Sequence, residues 1–222
     1  MLRPFKVLAF LLAFASLPLT APGQTMTDTK LHTAAANNNA AAIKELIAQG
    51  AKIDARDGDG RTALLVATHD NNVDAAKALI EAGADVNAKD KINDSPYLYA
   101  GARGHLDILK MTLAHGADLQ STNRYGGTAL IPASERGHVD TVRTLIEAGV
   151  NVDHVNNLGW TALLEAIILS DGGSRHQLIV QLLLTAGANA SLADKEGVTP
   201  LQHARNRGYK EIEKILVAAK AR

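Results

Sequence analysis

Apolar positions recur along the chain in short stripes of helical period, each closed by the same punctuation. Val73, Ala76, Leu79 and Ile80 fall on one side of a helix, and the spacing predicts an amphipathic segment over Val73 to Glu81. Gly83 follows its last turn, where a left-handed residue ends a helix at little cost. The same step returns at Gly50, Gly83, Gly116 and Gly149, 33 residues apart each time. A second series in the same phase, Gly60, Asn93, Gly126 and Gly159, precedes Thr62, Ser95, Thr128 and Thr161, which are placed to cap a first helix. Ala63, Pro96, Ala129, Ala162 and Pro200 occupy the next position, where proline fits without strain. Two markers in register define a repeat whose units bury their apolar faces only on one another. The expected fold is an all-α repeat solenoid of helix-turn-helix units joined by β-hairpins, built to present an extended surface.

The first residues follow a different rule. A short basic stretch with Arg3 and Lys6 precedes Val7 to Leu19, which carries no charge and is interrupted only by Ser16 and Pro18. That run is too short for a transmembrane helix and ends in Pro18, Pro22 and Gly23, as a cleavable secretory signal does. Residues 1–23 are therefore read as a signal peptide, with Ala21 and Gly23 as the small residues before Gln24, and residues 24–27 as a short flexible lead-in. An uncleaved membrane anchor is the alternative.

Composition sharpens this picture. All three Phe residues, Phe5, Phe10 and Phe14, lie in the leader, so the core of the mature chain must be aliphatic. Without Arg3 and Lys6 the chain has 21 basic against 23 acidic residues, a formal charge of −2, which gives no electrostatic drive toward nucleic acid. The absence of cysteine excludes disulfides, thiolate metal sites, a Cys nucleophile and a lipid-bearing cysteine. It also suits an oxidising compartment. A periplasm is expected, with extracellular release as the alternative.

With these residues in hand, the chain resembles the ankyrin repeat family, whose Thr-Pro-Leu-His-x-Ala signature is best matched by Thr199-Pro-Leu-Gln-His-Ala204. Looser copies read Thr62-Ala-Leu-Leu-Val-Ala67, Ser95-Pro-Tyr-Leu-Tyr-Ala100, Thr128-Ala-Leu-Ile-Pro-Ala133 and Thr161-Ala-Leu-Leu-Glu-Ala166. Gly104-His105 and Gly137-His138 match the start of the family's second helix. The signature's His is replaced by Leu65, Leu98, Ile131, Leu164 or Gln202, so an aliphatic contact is expected in its place. The resemblance implies one repeat domain over residues 28–222, with an N-terminal cap at about 28–56 and five repeats at about 57–89, 90–122, 123–155, 156–193 and 194–222. The last unit has a polar outer face, so both ends read as caps and a monomer is expected. One unit is five residues too long, since Gly159 and Gly197 are 38 apart. The surplus lies between Ala166 and His176, with Ile167 to Leu169 expected to lengthen the first helix and Ser170 to Ser174 to form a loop. That loop is either a protruding contact element or a tolerated insertion.

Little here is catalytic. His105, His138 and His176 hold one position in successive repeats, too far apart to share a metal ion. The resemblance gives such an imidazole a bond to neighbouring backbone. Asp57-Gly-Asp-Gly60 fails as a calcium loop because Ala55 and Val66 would occupy ligand positions, and a β-hairpin turn suits it better. No Gly-x-Ser-x-Gly or His-Glu-x-x-His element occurs. No cofactor or metal site is expected. The rival reading is a small enzyme or ligand carrier around the Asp171-Gly-Gly loop with His176 or Glu165; a scaffold for self-assembly is another.

The resemblance places binding on the hairpin tips and the exposed side of the first helices. Asp59, Ile92, Tyr125, Leu158 and Glu196 precede the turn residue, and Arg61, Asp94, Gly127, Trp160 and Val198 follow it. Ile92, Tyr125, Leu158 and Trp160 thus put apolar groups on fingers expected to face solvent, with Arg103, Arg124 and Arg136 as a mainly basic rim. Trp and Tyr are common anchors of protein interfaces. Trp160 has a purely structural alternative, half buried on a neighbouring finger, while Tyr97 and Tyr99 are read as packing. The expected partner is another protein: a periplasmic enzyme such as a stress-defence catalase by resemblance, or a host protein after release.

Overall fold

The apolar stripes become paired helices. A computed structural model describes residues 22–221, so the proposed leader lies outside the described residues except for its last two positions. Among the described residues there are twelve helices in six pairs: α1 (Pro22–Ala36) with α2 (Ala40–Ala48), α3 (Ala63–His69) with α4 (Val73–Glu81), and α5 (Pro96–Arg103) with α6 (Leu106–Ala114). The series continues with α7 (Leu130–Glu135) and α8 (Val139–Glu147), α9 (Ala162–Ile168) and α10 (Ser174–Thr185), α11 (Pro200–Asn206) and α12 (Lys210–Ala218). First helices pack on first helices, α1 to α3 to α5 to α7 to α9 to α11, and second helices form a parallel layer. None of the described helices is long and apolar enough to cross a membrane.

Local chemistry sets the helix boundaries. Thr62, Ser95 and Thr161 each accept a hydrogen bond at 3.2 Å from the backbone N–H three residues on. Thr199 does so at 3.3 Å, and its own N–H donates to the Gln202 side-chain oxygen at 2.8 Å to complete a capping box. Thr128 departs from the pattern. Pro132 lacks the N–H that would bond the Thr128 carbonyl in an α-turn, and the turn closes instead from Ile131 N–H to that carbonyl at 3.2 Å. Helix α7 therefore starts one residue late, at Leu130, and the Thr128 hydroxyl is buried without a partner.

At the other end, Gly83 has φ +92°, and the Ala84 N–H bonds the Leu79 carbonyl at 3.0 Å, closing the helix as the spacing predicts. Helix α1 begins at Pro22 and takes in residues 24–27, because proline is tolerated in a first turn and nothing after it breaks the helix.

The core between the layers is aliphatic, running from Leu31 and Ile43 through Leu64, Leu79, Leu109, Leu130, Leu145 and Leu163 to Leu216. Leu65, Leu98, Ile131 and Leu164, which replace the signature histidine, are buried. Tyr97 is fully buried, and that burial pushes its phenol well above the usual range.

The long repeat differs from expectation. Helix α9 has seven residues, the same as α3, so the first helix is not lengthened. The surplus lengthens α10, which has 12 residues where α4, α6, α8 and α12 have nine. The connecting loop is tied down. The Tyr209 hydroxyl donates to the Ser170 carbonyl at 2.6 Å, Gln177 donates to the Gly172 carbonyl at 2.8 Å, and the Tyr209 ring covers Gly172.

Candidate functional site

Each finger is built by one Asp or Asn. In Asp57, Asp90, Asn123, Asn156 and Asp194 the side-chain oxygen accepts from the N–H groups two and four residues on, at 2.8–3.1 Å. The backbone closes the same loop, as in Asn156 N–H to the Trp160 carbonyl at 3.0 Å and Gly159 N–H to the Asn156 carbonyl at 2.9 Å. Gly60, Asn93, Gly126, Gly159 and Gly197 have positive φ, as this turn requires. The returning limb is one residue long before the helix cap begins, so no strand ladder forms and the expected β-hairpins are side-chain-capped turns. Backbone bonds link adjacent fingers, Lys91 N–H to the Asp59 carbonyl at 3.2 Å and Asn157 N–H to the Tyr125 carbonyl at 2.9 Å.

This geometry sorts the candidate residues. The position before the turn residue is exposed in all five fingers, with Ile92 at 49 %, Tyr125 at 56 % and Leu158 at 50 %. The position after it never is: Arg61, Asp94, Trp160 and Val198 are half-buried and Gly127 is buried. Trp160 is thus turned back toward the stack.

Between the fingers and the ends of α5, α7 and α9 lies a cleft of about 250 Å³, lined by Tyr125, Leu158, Arg103, Arg124 and Arg136 among others. Five of the seven candidate residues meet there; Ile92 and Trp160 do not line it. The cleft also includes two residues the sequence reading placed elsewhere: Leu169, read as part of a longer first helix and 48 % exposed at the end of α9, and Tyr99, read as packing and half-buried. Tyr99, Pro132 and Glu165 all face it from the variable position of the signature, four residues after the helix cap. That shared register was the signal that could have found them.

The cations are held in place. Arg103 lies over the Tyr99 ring at 5.4 Å, and Tyr99 stacks on His69 with ring centres 3.9 Å apart. Arg124 lies over the Tyr125 ring at 5.3 Å and reaches Asp94 at 3.5 Å. Arg136 donates to the Ala102 carbonyl at 2.6 Å. Lys91, by contrast, donates to the Gly58 carbonyl at 2.6 Å and serves to hold two fingers together.

Glu165 is the unusual acid. Its side chain is nearly inaccessible, accepts from the Asn156 amide at 2.8 Å, and is pushed up to about 7 by burial first and by the neighbouring Glu135 charge second. It does not join a catalytic group with His176, whose ring nitrogens meet Asp171 at 3.1 Å and the Glu135 carbonyl at 3.0 Å. The repeated histidines bridge repeats, His105 meeting the Thr68 carbonyl at 2.9 Å and His138 lying against Gly104. No group of three or more His, Asp or Glu suited to a metal ion occurs among the described residues.

Comparison with known proteins gives the same architecture a family. A family model described as ankyrin repeats (3 copies) matches residues 6–90 and 97–189. The crystal structure of an ankyrin repeat domain from Acinetobacter baumannii AYE is 72% identical, covers 87% of this chain and 98% of its own, and superposes with a TM-score of 0.85. The ankyrin repeat domain of Bcl-3, a member of the IκB family, is 28% identical with a TM-score of 0.79, covering 88% of this chain and 87% of its own. The ankyrin repeat protein YahD of Escherichia coli (strain K12) is 59% identical over 58 residues, which span 26% of this chain and 29% of that protein.

Proposed function

The chain belongs to the ankyrin repeat family, whose repeats are protein–protein interaction modules, and from that premise we propose that it is a non-catalytic binding protein that grips a partner protein in the cleft formed by its central fingers and first helices. The observation that carries this reading is the convergence of Tyr125, Leu158, Arg103, Arg124 and Arg136 on one concave site. Exposed apolar groups beside guanidinium groups are the side-chain chemistry of a protein interface.

The proposed place of action is the periplasm, reached through the leader at residues 1–23; the charge pattern of that segment and the lack of cysteine support it. The proposed partner class is a periplasmic enzyme, stress-defence catalases among them, which the resemblance to exported bacterial members of the family suggests. The capped ends favour a monomer.

Site-specific photo-crosslinking in intact cells tests the surface. A photoreactive residue at Tyr125 is expected to yield a discrete adduct with one partner, while the same residue at Leu178 on α10, away from the cleft, yields none. Equal adducts from both positions, or none from Tyr125, would remove the cleft from consideration. Cell fractionation with N-terminal sequencing tests the address, with a mature chain starting at Gln24 expected in the periplasmic fraction.

A further inference from the structure

The cleft has a charge pattern that its shape alone does not explain. Arg103 and Arg136 occupy the same position in consecutive repeats, at the ends of α5 and α7, and both line it. Neither is ion-paired with a carboxylate among the described residues, whereas Arg124 is taken by Asp94. Both are already oriented, Arg103 by the Tyr99 ring and Arg136 by the Ala102 carbonyl, so little side-chain freedom remains to be lost on binding. Beside them Tyr125, Leu158 and Leu169 leave apolar surface open to solvent.

We propose that this cleft recognises an acidic side chain of the partner, an Asp or Glu with an apolar neighbour, whose carboxylate is received by Arg103 and Arg136 while the apolar residue lies against Tyr125, Leu158 and Leu169. This rests on the cleft being the partner-binding surface and specifies what it selects. A guanidinium is the side chain best matched to a carboxylate, because its fork of N–H groups meets both oxygens. The apolar wall favours a peptide side chain, and the nearby Glu135 opposes a more highly charged anion.

Glu165 makes this recognition depend on pH. Three charged or polar groups face it: Glu135 and Arg136 from α7 and its end, and Asn156 from the finger. With Glu165 protonated, Arg103, Arg124 and Arg136 outweigh Asp94 and Glu135; with Glu165 ionised, the charges balance. An incoming carboxylate therefore favours the protonated form, so binding takes up a proton where Glu165 is ionised, at and above about pH 7, and tightens as pH falls through that value.

The test uses acetyl-Leu-Glu-Leu-amide, with its Gln and Lys counterparts, titrated into the isotope-labelled protein and followed by amide chemical shifts. At about 10 mM peptide, where even millimolar binding registers, the Glu peptide is expected to shift amides around Arg103, Arg136 and Leu158. Its affinity should be at least about threefold above the Gln peptide, with the Lys peptide weakest, a margin in keeping with exposed ion pairs. From pH 6 to pH 8, spanning the Glu165 value of about 7, affinity for the Glu peptide should fall several-fold. In Glu165→Gln the affinity should stay at its low-pH level throughout, and Arg103→Gln with Arg136→Gln should erase the preference. Cleft shifts led by the Lys or Gln peptide would overturn acid recognition while leaving the cleft as the binding surface. No cleft shift with any peptide, or shifts confined elsewhere, would overturn the proposal at its base.

Discussion

Asn156 donates a 2.8 Å hydrogen bond to Glu165, and one repeat later Asp194 meets His203 at 2.6 Å across the same interval of nine residues. In both repeats one oxygen of the finger residue closes the turn, leaving its second polar atom to face the variable position of the following helix. In these two repeats the Asn156 amide finds an acceptor in Glu165, and the Asp194 carboxylate finds its partner in His203. In both, the finger and the helix behind it are thus matched as a pair.

Glu165 should make stability depend on pH in a definite direction. Below its ordinary value of 4.5 the carboxyl is neutral both folded and unfolded; between 4.5 and about 7 only the unfolded chain has released the proton, so stability falls as pH rises. The total loss is roughly 3 kcal/mol, constant above the folded value. Replacement by Gln, which can still accept from Asn156, should therefore raise the urea midpoint at pH 8 and leave it nearly unchanged at pH 4. An equal effect at both would show that charge is not the cause.

The helix caps should separate cleanly. Thr161→Ala removes a bond to the Leu164 N–H and should cost about 1 kcal/mol in chemical unfolding. Thr128→Val removes a buried hydroxyl that bonds nothing, so it should be neutral or mildly stabilising. A loss as large as that of Thr161→Ala would mean that the Thr128 hydroxyl has a role this geometry does not give it.

Two glycines are required for different reasons. At Gly83 a Cβ meets nothing within 4 Å, so Gly83→Ala should cost about 1–2 kcal/mol through its left-handed backbone alone, with Gly83→Asn milder. At Gly101 a Cβ would stand 2.7 Å from that of Ala129, the residue that leads into the neighbouring first helix. Gly101→Ala should cost about 1–3 kcal/mol by forcing α5 and α7 apart, and asparagine should be worse there. Thermal unfolding of the four variants distinguishes strain from crowding.

Tyr209→Phe tests whether the long repeat's loop is a fastened connection. Losing the 2.6 Å bond to the Ser170 carbonyl should destabilise the protein by about 1 kcal/mol and speed hydrogen exchange over residues 169–173 more than elsewhere. Unchanged exchange in that loop would return it to the status of a free, protruding element.

The sequence made the scaffold legible because its determinants are local. Gly83 ends a helix by its own backbone preference, and Thr62 starts one by bonding three residues ahead; neither needs to know the tertiary structure. Ile92, Tyr125 and Leu158 were readable for the same reason, since the finger turn alone points them outward. Trp160 carried two readings, and its half-buried position, with the backbone bonds that return residue 160 to Asn156, agrees with the structural one. Glu165 entered only within a rival catalytic site and Tyr99 only as packing, because their burial comes from neighbouring repeats, and in one repeat alone the variable position looks like any helical site. The extension of α10 in place of α9 likewise reflects Tyr209 and Gln177 anchoring the loop from outside the inserted residues.

The capped turns have a last implication. Since an Asp or Asn at the base and a left-handed residue three places on suffice to close each finger, the outermost side chain, just before that left-handed residue, answers to no folding constraint of its own. Selection can rewrite those tips one at a time, changing what the molecule grasps while the stack beneath keeps its form.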